Sequence, residues 1–274
     1  MSLSADLNPR PAATEPPALR LSAIGKTFVT PAGLLQRAYR TVALKDISVD
    51  VQPSEILVIV GESGSGKTTL GRIVVGLLEP DSGAAYLGER TLADVSRGIH
   101  MPAARRGVGM IFQDPTSSLN PRMRVRDVVG EGLRLAGVGR REIAERAAEA
   151  LNLVGLSTKD LDRYPHQFSG GQRQRIGIAR AVVMQPAVLI ADEPVSSLDV
   201  SVQMQVLNLI LDIRDKLRLT VLFITHNIAV VEYLCDRMVV LSRGEIVERG
   251  ATRAVIEAPQ HPYTRRLLQA VPRL

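Results

Sequence analysis

The nine residues Gly61 to Thr69, Gly-Glu-Ser-Gly-Ser-Gly-Lys-Thr-Thr, constrain this chain more than any other feature. They follow the apolar run Ile56 to Val60 and precede Leu70, Ile73, Val74, Leu77 and Leu78, which recur at helical spacing. The order is strand, glycine loop, helix. Glycines let the backbone curl until its amides point inward, and the following helix adds its positive N-terminal end, so the two make a nest for phosphate oxygens. The match to G-x-x-x-x-G-K-[ST] is complete and stands in the context its mechanism requires. Gly61, Glu62, Ser63, Gly64, Ser65, Gly66, Lys67, Thr68 and Thr69 are the expected nucleotide contacts. Lys67 would reach the β- and γ-phosphates of a nucleoside triphosphate, and the Thr68 hydroxyl would serve Mg²⁺.

A chain of 274 residues can hold one large α/β domain, or such a domain with an inserted lobe. Only 3% of the residues are aromatic against 45% hydrophobic, so the core must be mainly aliphatic. No apolar run approaches the roughly 18 to 20 residues that cross a bilayer. The stretch Met1 to Ala18, with Pro9, Pro11, Pro16 and Pro17, has no apolar signal segment and reads as a disordered tail. The single cysteine, Cys235, excludes an internal disulfide and reads as a small buried hydrophobe. A net charge of +6 and a pI near 9.8 permit nucleic-acid binding. However, the arginines are scattered and stacking aromatics are few, so a solvated basic surface is expected and no nucleic-acid partner.

Taken in order, Leu19 to Phe28 and Val42 to Val51 read as strands, separated by an irregular stretch with Pro31, Gly33 and Tyr39. Phe28 lies at a strand end upstream of the loop, where its ring either stacks on a purine or is an ordinary core or edge phenylalanine. Val108 to Phe112 is an apolar strand ending at Gln113. A glutamine at a strand's C-terminal end beside a phosphate site can touch Mg²⁺ or the attacking water, or simply be a hydrogen-bonded loop residue. Beyond Pro115, Asn120 and Pro121, the segments Val125 to Leu135 and Arg141 to Val154 carry helical periodicity, with Ile143, Ala147, Leu151 and Val154 on one face. Thr116 to Gln167, about residues 116–168, reads as a helical lobe inserted into the α/β core.

Ser169-Gly170-Gly171-Gln172 then opens an apolar helix, and Ser169 with Gln172 fits a capping box. Two glycines in a first turn weaken a helix by roughly 1 kcal/mol each relative to alanine, so a cap alone explains them poorly. Bare amides at a helix N-terminus suit an approaching anion, which makes this a second phosphate-binding element. Val188 to Ala191 is a continuous apolar strand that ends in Asp192-Glu193-Pro194. Asp192 is assigned to the metal and Glu193, pointing the other way, to the water. Ser196 to Asp199 turns into the helix Val200 to Lys216. Thr220 to Thr225 is another buried strand, and His226 at its end is placed to sense a γ-phosphate. Arg237 to Leu241 and Glu245 to Arg249 read as a hairpin, and Thr252 to Val271 as a mostly helical tail.

Gly61 to Thr68, Gln113, Ser169 to Gln172, Ile190 to Glu193, Ser196 to Asp199 and His226 fall in the order and approximate spacing of the ATP-binding cassette (ABC) ATPases. From about Leu19 onward the sequence resembles that family. The resemblance implies an α/β fold: a P-loop NTPase (RecA-like) core with an N-terminal antiparallel β-subdomain and an inserted α-helical subdomain. It divides the chain into a tail 1–18, a domain 19–250 and a helical tail 251–274. It also implies a nucleotide-sandwich dimer, in which Ser169, Gly170 and Gly171 of one subunit close on ATP held by Gly61 to Thr68 of the other. Phe28 would take the adenine-stacking position, and Ser196 to Asp199 would lie at the dimer seam.

The runs Ile111 to Pro115, Ser118 to Arg122, Arg163 to Ser169, Asp192 to Ser196 and His261-Pro262-Tyr263-Thr264 look more narrowly like the dipeptide and oligopeptide importer ATPases. That resemblance implies work at the cytoplasmic face of the inner membrane, with two permease subunits, an extracytoplasmic binding protein and a paralogous, longer ATPase subunit carrying a cysteine-rich extension. This chain looks like the shorter type. Peptide is the family's default cargo, with nickel, opines, glutathione or oligosaccharides as alternatives. Asn227 departs from the aspartate that commonly follows the histidine, while Glu193, His226 and the Ser169 segment are intact. Two other classes fit these residues less well. A soluble ABC-type ATPase acting on DNA or the ribosome would carry tandem cassettes or long linker insertions, and a P-loop kinase would leave Ser169 to Gln172 and His226 unexplained.

Overall fold

The computed structural model describes residues 16–30, 39–102, 107–235 and 237–269. Most of the stretch 1–18, and Pro31, Gly33 and the chain end 270–274, lie outside the described residues. Two sheets organise the rest. The first is antiparallel, built from β1 (Leu19–Thr30), β2 (Tyr39–Val51), β4 (Ser82–Leu87), β5 (Arg90–Asp94) and β6 (Ile99–His100) in the order β2-β1-β4-β5-β6. The second contains β3 (Ile56–Val60), β7 (Val108–Ile111), β8 (Val188–Asp192), β9 (Thr220–Thr225), β10 (Arg237–Ser242) and β11 (Glu245–Ala251), in the order β11-β10-β3-β9-β8-β7. Its strands are parallel except for the edge strand β11, which pairs antiparallel with β10.

The second sheet is covered on both faces, which is why its strands are continuous apolar runs rather than alternating ones. Period-two alternation still sorts the side chains. Ile56, Val58 and Val60 of β3 and Val221 and Phe223 of β9 join one core cluster, shared with the helices. Leu57, Ile59, Leu222 and Ile224 join the other, shared with the antiparallel sheet. Between the two sheets lies α1 (Lys67–Val75), with Leu70, Ile73 and Val74 fully buried. Burial of that kind contributes about 1.5–3 kcal/mol per side chain. The helix stops at Gly76, whose φ of 87° makes the left-handed C-cap that takes the Arg72 and Ile73 carbonyls. Leu77 and Leu78, expected on the helix, therefore lie beyond it, and Leu77 is exposed.

Every element between β7 and β8 is helical: α2 (Pro115–Ser118), α3 (Val125–Leu135), α4 (Arg140–Leu153), two short 3₁₀ turns at 158–162 and 165–167, and α5 (Gly170–Val182). The predicted face of α4 is the one that packs, with Ala147, Leu151 and Val154 fully buried and Ile143 against Gly130 of α3. Beyond β8 come α6 (Val200–Leu217), α7 (Ile228–Leu234), α8 (Thr252–Glu257) and α9 (Pro262–Gln269).

Two local expectations need correction, and one element went unread. Tyr39, read as irregular, opens β2, because the β1–β2 hairpin continues outward and pairs Tyr39 with Thr30 and Arg40 with Val29. Ala18, read as tail, is fixed by the Gly88 amide, which donates to its carbonyl at 2.9 Å. The unread element is α7, after His226, with Ile228, Val231 and Leu234 buried. No helix among the described residues is long and apolar enough to cross a membrane.

Candidate functional site

The parallel strands β3, β7, β8 and β9 all end on one edge of the sheet, so the segments that follow them, at Gly61, Gln113, Asp192–Glu193 and His226, converge there. Gly64 and Gly66 have φ of 81° and 108°, in the region that glycine alone enters cheaply. A Cβ on Gly66 would also stand 2.4 Å from the Ala43 carbonyl oxygen, so β2 presses on the loop from outside. Lys67 folds back, and its ammonium donates to the carbonyls of Gly61 at 2.7 Å and Glu62 at 2.8 Å. Burial lowers the Lys67 pKa, against the opposing pull of Glu193, Asp192 and Glu62. The result is a buried cation whose present ligands are two backbone carbonyls, which anionic oxygens could replace.

The two carboxylates diverge as the sequence suggests. Asp192 is buried and accepts from the Thr68 hydroxyl at 3.1 Å. Burial raises its pKa, against the hydrogen bond from Thr68. Glu193 turns the other way. Its Oε2 accepts from Gln113 Nε2 at 3.2 Å and lies 3.1 Å from His226 Nδ1. Glu193 has a φ of 45°, a left-handed value that costs a non-glycine residue about 1–3 kcal/mol and is held only by surrounding bonds. Those bonds are present. Its amide donates to the Ile224 carbonyl at 2.9 Å, and its own carbonyl accepts from the Ser196 amide and hydroxyl.

Thr68, Asp192 and Gln113 offer oxygen donors of the hard kind that Mg²⁺ prefers. Among the described residues no group of three or more His, Cys, Asp or Glu could hold a metal by itself. That composition fits an ion which keeps waters and binds substrate phosphates, not an all-protein cage.

A cleft of about 410 Å³ runs over the loop, lined by Gly64, Gly66, Lys67, Thr68, Gln113 and Glu193 below and by Phe28, Thr41, Val42 and Ala43 of the β1–β2 hairpin at its rim. Phe28 is 42% exposed, so it is not core, and Lys26 lies over its ring. Thr41 to Ala43 carried no signal in the sequence, because small residues in a strand have no distinguishing chemistry. Ser169 to Gln172 are not in this cleft. They line a separate one of about 280 Å³ with Ser197, Leu198, Asp199 and Val202. There Ser169 and Gln172 form the predicted capping box, with bonds of 3.3 and 3.0 Å. Gly171 has an additional reason to be glycine, since a Cβ would meet Val202 Cγ1 of α6 at 2.7 Å.

Two features join these parts. Arg180 of α5 stacks over Phe112 at 5.3 Å and donates to the Ser118 carbonyl, which ties the helix begun by Ser169 to the segments flanking Gln113. Its burial lowers its pKa, against Glu131. Asn227, the departure from the common aspartate, caps α7 by accepting from the Ala229 amide at 3.0 Å, a role asparagine and aspartate fill equally well.

Comparison with known proteins agrees with this arrangement. Residues 44–196 match the family model described as ABC transporter, and residues 247–274 match that of the oligopeptide/dipeptide transporter C-terminal region. A Brucella ovis protein named for peptide import and ATP binding is 46% identical over 260 residues, covering 94% of this chain and 80% of that protein. The glutathione import ATP-binding protein of Escherichia coli is 47% identical over 258 residues, 93% of this chain and 41% of that longer protein. Among solved structures, a dimeric ATP-binding cassette in a post-hydrolysis state with ADP and Pi superposes with a TM-score of 0.71 at 27% identity, covering 86% of this chain and 99% of that one. The Clostridium perfringens protein cbiO1, part of the ABC transporter complex cbiONQ, gives 0.73 at 28% identity, covering 89% and 92%.

Proposed function

Because this chain belongs to the family of ABC transporter ATPases, we propose that its ATP hydrolysis drives import of peptides through the roles assigned below. Two of its relatives are named for peptide and for glutathione import, cargoes that share the peptide bond. The observation that carries the catalytic reading is the Glu193 carboxylate, held on one oxygen by both Gln113 and His226.

The loop amides of residues 61 to 69 receive the phosphates, and the Lys67 ammonium exchanges the Gly61 and Glu62 carbonyls for phosphate oxygens. Phe28 stacks on the adenine. Thr68, Asp192 and Gln113 are the residues that would hold Mg²⁺, which when bound neutralises charge on the phosphates. With Oε2 of Glu193 occupied by its two neighbours, Oε1 is the oxygen that takes the proton from the attacking water. His226 orients that carboxylate and donates toward the γ-phosphate.

The separation of the Ser169 cleft from the loop cleft favours a site completed by a second subunit. In that arrangement Ser169, Gly170, Gly171 and Gln172 close on the partner's nucleotide, with Ser196 to Asp199 at the seam. We take the partner to be a paralogous, longer ATPase subunit, with the pair seated beneath two permeases on the cytoplasmic face of the inner membrane and supplied by an extracytoplasmic binding protein. Gln113, linked through Phe112 and Arg180 to α5, reports nucleotide occupancy to the lobe, and the segment 114–126 is where the permeases dock. Co-purification of the tagged protein from native membranes tests this reading. Recovery of two permeases and a second ATPase is expected. Recovery of ribosomes, DNA-repair proteins or the protein alone from the soluble fraction would overturn the transport assignment and leave the hydrolysis standing.

A further inference from the structure

The loop of residues 61–69 is held from two sides, and the outer hold comes from the far end of the chain. Tyr263, on α9, is 8% exposed, and its hydroxyl accepts from the Glu62 amide at 2.9 Å. The β10–β11 turn adds a second outer bond, from the Gly244 amide to the Ser65 carbonyl at 3.0 Å. The Lys67 ammonium sits on the Gly61 and Glu62 carbonyls. Tyr263 therefore pins the peptide whose carbonyl Lys67 must leave.

Tyr263 is itself built into place. The carboxylate of Glu248 on β11 accepts from the amides of Gln260 at 2.8 Å and His261 at 3.0 Å, which fixes the start of α9. The Tyr263 amide then donates to His261 Nδ1 at 3.2 Å, and Leu267 anchors the helix in the core. An open cleft of about 700 Å³, lined by Arg243, His261, Tyr263 and Arg266, lies immediately behind the loop. The Glu62 carbonyl is held from inside the loop, by Lys67 and by the Ser65 amide at 3.2 Å, whereas its amide is held by Tyr263.

We propose that Tyr263 is a positioning residue for nucleotide binding, which holds the Glu62 peptide so that the loop amides are arranged before ATP arrives. The proposal rests on the nucleotide reading of residues 61–69. A positioning bond of this kind acts equally on ground and transition states, so its loss raises KM and leaves kcat.

The test is Tyr263→Phe, which keeps the ring and removes the hydroxyl, beside Leu267→Ala, which removes packing from the same helix. ATP and ADP dissociation constants, KM, kcat and Tm are measured on the full chain. One ordinary hydrogen bond predicts an about fivefold rise in Kd and KM for Tyr263→Phe, kcat within twofold, and faster hydrogen exchange at the Glu62 amide. Leu267→Ala, which loosens the helix but keeps the hydroxyl, should lower Tm more than Tyr263→Phe does and raise Kd less. Unchanged affinity in Tyr263→Phe, or equal affinity loss in both variants, overturns the proposal. Should Tyr263→Phe not fold, exchange in the wild type decides, since an unprotected Glu62 amide contradicts the bond. Lys67→Ala serves as control. If wild type binds no ATP, the nucleotide reading fails. If wild type binds, Lys67→Ala does not and Tyr263→Phe matches wild type, only the present proposal fails.

Discussion

Gly171 carries two demands that one substitution can separate. As the second residue of α5 it has bare backbone, which in the proposed two-subunit site meets a phosphate of the partner's nucleotide, and it lies so close to α6 that a Cβ would stand 2.7 Å from Val202 Cγ1. Gly171→Ala gains about 1 kcal/mol of helix propensity. The forced displacement of Val202, a β-branched side chain with little rotamer freedom, costs about 1–3 kcal/mol. The net effect is a loss of about 0–2 kcal/mol, which for a chain of this size lowers Tm by no more than about 8 °C. Adding Val202→Ala removes the clashing methyl and should restore most of the Tm. It does nothing for the methyl placed against the phosphate. Calorimetry and ATPase turnover of both variants, each with the proposed partner subunit, read the two effects apart. We expect the double variant to recover stability and to remain at least tenfold slower than wild type. Recovery of turnover together with stability would mean that Gly171 serves packing within one subunit, and would refute its role as a phosphate contact.

Gly66→Ala places a Cβ 2.4 Å from the Ala43 carbonyl at a φ of 108°, so ATP binding should be lost, as read by equilibrium dialysis. Asp192→Asn should raise Tm at neutral pH while abolishing hydrolysis. Burial raises the Asp192 pKa, so the folded protein holds this proton more tightly than the unfolded one, and stability falls as pH rises from the ordinary carboxylate pKa through the raised one. The variant should flatten that part of the Tm–pH curve. Phe28→Ala removes a stacking face worth about 1–3 kcal/mol, so the ATP Kd should rise roughly five- to 150-fold, with Phe28→Trp near wild type in a fluorescence titration.

The strands that position the site were legible because burial on both faces makes them unbroken apolar runs. Ile56 to Val60, Val188 to Ala191 and Thr220 to Thr225 all lie where the sequence put them. The divergence of Asp192 and Glu193 was legible in outcome but not in cause, since β8 ends at Asp192 and the left-handed φ of Glu193 turns its side chain away. The short pairing of Arg90–Asp94 with Ile99–His100 was not, because so few residues carry no measurable period. Nor was α7, whose single buried face spans only two turns. What sequence order hid most completely was contact across distance. Gly171 against Val202, Gly66 against Ala43, and Tyr263 on Glu62 each join residues whose proximity only the folded sheet creates.

The most direct test of the catalytic account is Glu193→Gln, which keeps the contacts to Gln113 and His226 in shape but removes the base. ATP-dependent association followed by light scattering, with turnover measured in parallel, reads the outcome. The account predicts that the variant binds ATP, persists as a closed dimer with its partner subunit and releases no phosphate above background. Wild-type turnover in that variant would contradict it.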